Sequence, residues 1–130
     1  MFASLFVLLY LGHLISDYPL QTDHQAGHKA GPGLAGWRAN LTHAATHVVV
    51  CALLLALGAA VLGWRLPLMS ATAALVWIGS THAVIDRRWP VQWWMNNTGQ
   101  SDWAAAGGAA HVDQTAHIAA LVAAALFLSA

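Results

Sequence analysis

The sequence predicts an all-α membrane protein: a four-helix transmembrane bundle with an intramembrane cluster of histidine and aspartate side chains. The chain has 130 residues, of which 58% are hydrophobic and 8% are charged, whereas about 25% of the residues of an ordinary soluble domain are charged. Four apolar windows have the length of a membrane span, and each contains two potential metal ligands spaced four residues apart. So little charge cannot cover a globule in water, and the whole chain is therefore predicted to form one membrane domain.

The predicted spans follow one another with short connections. A transmembrane helix needs about 20 mostly apolar residues. The windows that meet this requirement are about 2–18, 39–62, 66–86 and 104–129. The first window lacks the basic residues that begin a signal peptide, so it is predicted to be retained as a span. Residues 21–36 are predicted to form a polar loop and residues 63–67 a tight turn. Residues 87–103 hold four of the seven tryptophans and are predicted to lie at the headgroup level, which tryptophan prefers.

The basic residues predict the orientation of the spans, because cytoplasmic loops carry an excess of lysine and arginine. Four of the five basic residues flank the first and third connections, and one flanks the second. They are Lys29, Arg38, Arg87 and Arg88 on one side of the membrane, and Arg65 on the other. The first and third loops are therefore predicted to be cytoplasmic, with both termini outside.

The eight potential metal ligands form one pair in each span. The pairs are His13 with Asp17, His43 with His47, His82 with Asp86, and Asp113 with His117. Residues at positions i and i+4 lie on the same face of a helix, about one turn apart. All four pairs fall in the half of the membrane that faces the first and third loops. We therefore expect the eight side chains to converge on one site.

A divalent cation would offset the cost of burying these groups. An aspartate at the centre of a transmembrane helix costs about 2.5–3.5 kcal/mol, and less toward the interface. No lysine or arginine lies inside the predicted spans, and Arg87 and Arg88 are expected to reach only Asp86 among the aspartates. Imidazole and carboxylate ligands suit zinc best, with iron, manganese or nickel as alternatives. Eight candidates exceed four tetrahedral ligands, so the sequence predicts either two ions or one ion with partners that orient its ligands. Those partners are drawn from the eight themselves and from Gln21, Gln114, Thr42, Thr46 and Thr81.

The predicted chemistry is metal-dependent hydrolysis of a lipid-like or membrane-embedded substrate. His43 and His47 have the spacing of a zincin helix, but the glutamate that acts there as general base is missing. A metal-bound water can be activated for hydrolysis, with Asp17 or Asp113 as the base. The alternatives are a metal-ion or proton carrier or channel subunit, and a structural or regulatory membrane protein whose polar residues serve packing. The outer halves of the second and fourth spans contain no Asp, His, Lys or Arg, which argues against conduction through a monomer.

Other histidines and other partners are assigned no role in the cluster. His24 and His28 also have i,i+4 spacing, but their segment contains glycines and a proline, so they are interpreted as loop residues. His111 is excluded because it faces away from Asp113 and His117 on a helix.

A formal net charge of zero gives no indication of a nucleic-acid partner. The lipid bilayer is the expected partner, and a homo-oligomer is left open.

The ordered motifs resemble those of the small bacterial and phage integral membrane proteins known as domain of unknown function 3307. The resemblance covers nearly the whole chain. It rests on His13-x-x-x-Asp17 followed by Leu20-Gln21 and Lys29, on His43 and His47, on His82-x-x-x-Asp86, and on Asp113-Gln114-x-x-His117. That family often has a phenylalanine after the first aspartate and a lysine after the second, where this chain has Tyr18 and Arg87 or Arg88. The resemblance implies a four-span protein in the cytoplasmic (inner) membrane of a bacterium, with no established activity. The motifs are also loosely similar to those of membrane-bound metal-dependent hydrolases.

Overall fold

A computed structural model describes residues 1–130, and all of its regular structure is helical. Seven α-helices and one π-helical turn follow each other along the chain, without any strand. They are α1 Phe2–Asp17, α2 Asp23–His28, α3 Gly33–Leu62, α4 Leu68–Ile85, α5 Trp89–Asn97, α6 Ser101–Trp103, the π-turn Ala104–Gly108 and α7 Ala109–Ser129. The predicted all-α class is confirmed.

The four longest helices pack around a shared interior. Helix α1 contacts α3 and α7, and α4 contacts the same two helices from the other side. One end of this interior is apolar, with a core formed by Leu5, Leu9, Cys51, Leu55, Ala74, Ile78, Leu121, Ala124, Ala125 and Leu128. Small residues allow close helix packing: a Cβ added at Gly12 would lie 3.0 Å from Cys51 Sγ. The other end of the interior is polar and contains the histidines and aspartates.

Three helical segments are long and apolar enough to cross a membrane. They are α3, α4 and the continuous stretch Ser101–Ser129. Helix α1 is apolar but has 16 residues, which corresponds to about 24 Å at about 1.5 Å per residue and is shorter than a hydrocarbon core of about 30 Å. Large apolar side chains such as Leu53, Val61, Met69 and Phe127 are exposed on the outside of the protein. These features are compatible with membrane insertion.

The prediction of a loop over residues 21–36 is wrong, because helix α2 lies within it. Thr22 accepts a hydrogen bond from the Gln25 backbone N–H, and the Gln25 side chain accepts one from the Thr22 backbone N–H. This reciprocal capping box starts a helix even in a polar segment. His24 and His28 are therefore helical residues rather than loop residues. Helix α3 also begins earlier than expected, at Gly33 instead of residue 39.

Hydrogen bonds hold the segment after α2 across the polar end of the interior. The Arg87 guanidinium donates hydrogen bonds to the backbone carbonyls of Lys29 and Gly31, at 2.9 and 2.8 Å, and lies over the Trp37 ring. A Cβ at Gly36 would clash with the Gly31 carbonyl oxygen, so the close approach of this segment to α3 requires a glycine there. These contacts place Lys29 over the interior.

A sharp turn joins α4 to α5. Arg88, at the start of α5, has φ +64°, and it is the only non-glycine residue with positive φ. The predicted surface segment is mostly helical, and the tryptophans Trp89, Trp93 and Trp94 of α5 are exposed. Exposed tryptophans are typical of the headgroup region of a membrane. Helix α5 therefore has the composition of an interfacial helix.

Candidate metal centre

Four helices bring imidazoles and carboxylates together at the polar end of the interior. Helix α1 contributes two of them near its C-terminus, α3 two, α4 and the residue that caps it two, and α7 one. These residues are His13, Asp17, His43, His47, His82, Asp86 and His117. All are buried except Asp17, whose side chain is 9% exposed. Helices α1, α3 and α4 direct both members of their i,i+4 pairs inward, and α7 directs His117 inward.

Asp17 lies at the centre of the cluster. Its Oδ1 lies 3.1 Å from His43 Nε2, 3.2 Å from His47 Nε2 and 3.8 Å from His82 Nε2. Its other oxygen lies 3.2 Å from His13 Nε2. The two imidazole nitrogens of α3 lie 3.3 Å apart. One carboxylate is therefore surrounded by imidazoles from three helices.

The spacing of these atoms suits a small cation. One ligand atom each from Asp17, His43, His47 and His82 lie within 4.8 Å of one another. Zn–N and Zn–O bonds of about 2.0–2.1 Å in a tetrahedron separate neighbouring ligand atoms by about 3.4 Å. The triangle formed by Asp17 Oδ1, His43 Nε2 and His47 Nε2 has sides of 3.1, 3.2 and 3.3 Å. These three atoms could hold a metal ion with little movement.

A second group adjoins the first and shares one nitrogen with it. His82, Asp86 and His117 also offer ligand atoms within 4.8 Å of one another. His82 Nε2 lies 3.1 Å from Asp86 Oδ2, and His117 Nε2 lies 3.9 Å from Asp86 Oδ1. A neutral imidazole nitrogen has one lone pair, so His82 Nε2 can bind an ion in one group only. The two groups therefore cannot both be complete at once.

Two buried imidazole nitrogens of the second group lack a hydrogen bond. His82 Nε2 and His117 Nε2 have no hydrogen-bond partner, although His82 Nε2 lies 3.1 Å from Asp86 Oδ2, the oxygen that is paired with Lys29. The atoms are thus close together without being oriented as donor and acceptor. Leaving a buried polar group unsatisfied costs about 1–3 kcal/mol, and more for a charged group. Proximity without hydrogen-bond geometry is the arrangement expected of atoms that face a common point.

The i,i+4 partner of His117 orients its ring. His117 Nδ1 lies 3.0 Å from the Asp113 backbone carbonyl and 3.4 Å from the Asp113 carboxylate. Because both oxygens only accept, the proton is assigned to Nδ1, and the lone pair of Nε2 points into the cluster. The Asp113 side chain is 23% exposed and lies outside both groups. Asp113, predicted as a ligand and as a base, therefore contacts the outer side of an imidazole.

Lys29 was not expected in the cluster. Its Nζ lies 2.9 Å from Asp86 Oδ2 and 3.3 Å from His43 Nε2, with the side chain 12% exposed. Arg87, which was expected to reach Asp86, instead binds the backbone carbonyls that position Lys29. The expectation that no lysine would contact these aspartates is therefore wrong, because α2 and the segment after it pass over the polar end of the interior.

The predicted orienting partners divide into two classes. Gln114 Oε1 lies 3.4 Å from His13 Nε2, and the Gln21 amide donates to the Asp17 backbone carbonyl at 2.7 Å. Thr42, Thr46 and Thr81 instead donate to carbonyls of their own helices. The two glutamines thus contact cluster residues, and the three threonines are satisfied locally.

The three remaining histidines lie apart from the cluster. The rings of His24 and His28 stack on the exposed surface of α2, with centroids 4.4 Å apart. The ring of His111 stacks on Trp103, at 6.2 Å, as its position on the outer face of α7 predicts. Substitutions of these histidines therefore serve as controls for substitutions of the buried histidines.

A cleft beside the cluster connects it to the outside. The cleft has a volume of about 480 Å³. Its lining consists of Gln21, Ala26, Lys29, Asp86, Arg88, Val91, Gln92, Ala109, Ala110 and Asp113. Asp86 belongs both to the second group and to this lining, so the cleft reaches the edge of the cluster.

The fold and the site define a class of all-helical protein, with helices apolar enough to cross a membrane and a buried histidine and aspartate cluster at one end. The chain belongs to the family described as "Protein of unknown function (DUF3307)", whose model matches residues 5–130. This match confirms the family indicated by the ordered motifs. No curated protein and no solved structure matches the chain.

Proposed function

We propose that this protein is a four-span membrane metalloprotein that uses one divalent ion, most suitably zinc, for hydrolysis. The observation that carries the proposal is the triangle formed by Asp17 Oδ1, His43 Nε2 and His47 Nε2, with sides of 3.1–3.3 Å. Two imidazoles and a carboxylate are the protein ligands of a known class of catalytic zinc site, which keeps its fourth position for water.

The second group adjoins the triangle through His82 and Asp86. His82 Nε2 lies 3.8 Å from Asp17 Oδ1, farther than the members of the triangle. Asp86 Oδ2 lies 3.5 Å from His43 Nε2 and belongs to the cleft lining. A water activated by an ion that the triangle holds would therefore be within reach of Asp86.

Asp86 is the base that this geometry supports best. Asp17 is one of the three ligands, and Asp113 contacts the far side of His117, so both of the carboxylates first considered have other roles. Asp86 would take the proton of the attacking water and pass it to the leaving oxygen as the bond between that oxygen and the carbonyl or phosphoryl centre breaks. An ion held by Asp17, His43 and His47 would make that water more acidic.

Lys29 favours one ion over two. Its ammonium group already lies between Asp86 and His43, at 2.9 and 3.3 Å, where a second cation would otherwise offset the charge of Asp86. The centre is therefore mononuclear, with a lysine beside it.

The proposed location is the cytoplasmic membrane of a bacterium, with α1 as the fourth span and the cluster at the cytoplasmic end. The opposite end of the interior is a closed apolar core, which argues against a carrier that moves ions through the monomer. The ion pair of Lys29 with Asp86 favours a structural polar network as the second candidate.

Metal-dependent hydrolysis is tested with the purified protein, with p-nitrophenyl phosphate, p-nitrophenyl butyrate and dihexanoyl phosphatidic acid as probes. We expect the isolated protein to hold about one zinc ion per chain, to lose hydrolysis on chelation and to regain it with zinc. His47→Ala removes one side of the triangle and should abolish both metal retention and hydrolysis, whereas His24→Ala, on the exposed surface of α2, should change neither. Metal retention without hydrolysis of any probe would reject the hydrolase, and failure to retain metal would reject the centre.

A further inference from the structure

The cleft beside the cluster has an unusual charge arrangement. Two cationic side chains, Lys29 and Arg88, line it together with the amides of Gln21 and Gln92. Every ion pair in the protein has Lys29 or a histidine as its cation. The Arg88 guanidinium is therefore left without a carboxylate partner. A planar group with five N–H donors and no partner is available to an anionic ligand.

The backbone at Arg88 is strained. Its φ of +64° lies in the left-handed region, which non-glycine residues seldom adopt. Such conformations cost of the order of 1–3 kcal/mol and cluster at functional sites. Here the strained residue forms the turn that starts α5 and also contributes to the lining of the cleft.

The depth of the cleft indicates where its ligand comes from. Helix α5 forms one wall through Val91 and Gln92, and its tryptophans Trp89, Trp93 and Trp94 are exposed. Tryptophans prefer the headgroup level, which places the cleft where the polar ends of lipids lie. The alanines and Val91 of the lining provide apolar surface next to the two cations.

From these observations we propose that the cleft binds a phosphate group, with Arg88 and Lys29 as its cationic contacts, and that a membrane phospholipid carries this phosphate. Arginine binds phosphate oxygens in pairs through its guanidinium fork, and lysine acts as a point charge. The second carboxylate of the cleft, Asp113, is already in contact with His117, and Asp86 is paired with Lys29. The proposal names phospholipids as the substrate class of the hydrolase, and in that respect it rests on the proposed function. Phosphate binding itself can be measured whether or not the protein is a hydrolase.

The test measures binding by calorimetry to chelator-treated protein in a neutral detergent, so that the metal contributes nothing. The probes are inorganic phosphate, dihexanoyl phosphatidic acid and dihexanoylglycerol, which has the same acyl chains without phosphate. We expect both phosphate compounds to bind and Arg88→Gln to weaken them at least about tenfold. Arg88→Lys retains the charge and should restore part of the loss.

Arg38→Gln is the matched control, because Arg38 is exposed at the same end of the protein but does not line the cleft. Tighter binding of phosphatidic acid than of phosphate supports a lipid source, and equal binding supports the phosphate site while rejecting the lipid source. Equal losses in Arg88→Gln and Arg38→Gln, binding of dihexanoylglycerol as tight as that of phosphatidic acid, or no binding at all would overturn the proposal. Phosphate binding by a protein that never holds metal would instead reject the hydrolase and leave the phosphate site standing.

Discussion

Asp17→Asn is expected to remove the metal ion from the protein. The amide keeps the size of the side chain but replaces the anionic ligand that lies 3.1 and 3.2 Å from the two imidazoles of α3. Changes to groups that merely orient metal ligands cost about 10–100-fold in affinity, so loss of a ligand should cost at least about 100-fold. Competition with a chromophoric zinc chelator in detergent measures this affinity directly.

The same variant separates a metal centre from a packing network. An asparagine can still hydrogen-bond the surrounding imidazoles, so a network would keep most of its stability and the variant would differ little from the wild type in zinc affinity. Asp23→Asn, on the exposed surface of α2, is the control for the loss of one carboxylate. Unchanged zinc affinity in Asp17→Asn would contradict its role as a ligand.

Lys29→Met is expected to destabilise the metal-free protein by about 3–5 kcal/mol, the usual cost of removing one partner of a buried ion pair. Asp86, whose side chain is 5% exposed, would keep its charge without the ammonium that lies 2.9 Å away. Methionine preserves most of the length of the side chain, so the loss of packing is small. Unfolding in a graded mixture of mild and denaturing detergents measures the change.

Zinc should rescue this variant in a characteristic way. With the ammonium gone, a second ion can bind Asp86 and His117, so the metal content should rise from about one toward about two per chain and stability should recover. Arg38→Met removes a charge from an exposed position of α3 and should change neither quantity. A Lys29→Met protein as stable as the wild type, or one that gains no second ion, would contradict the role of Lys29 as the resident cation.

The spacing of the polar residues predicted much of this site. On apolar helices with few polar residues, an i,i+4 pair can avoid lipid only by facing the interior, so the pattern alone indicated that His43, His47 and Asp17 would meet. An i,i+4 pair also extends about 6 Å along its helix axis, and one member can therefore lie beyond the cluster. Asp113 does so: it contacts the outer side of His117, which the spacing of the pair did not indicate.

The contacts that the sequence did not reveal are long-range ones. Lys29 contacts Asp86 because Arg87 binds the backbone of the segment after α2. The periodic spacing of polar residues along a helix cannot predict such a long-range contact. The capping box of Thr22 and Gln25 was readable in the sequence and would have identified α2. The strained turn at Arg88 had no sequence signal, since arginine has no preference for positive φ.

X-ray absorption at the zinc K-edge of the purified protein tests most directly whether imidazoles and a carboxylate surround a cation. The triangle predicts nitrogen and oxygen neighbours at about 2.0–2.1 Å, together with the outer scattering of at least two imidazole rings. His47→Ala should retain no zinc and should therefore give no such spectrum. A spectrum with oxygen neighbours alone, or purified protein that holds no metal to measure, would contradict the proposed centre.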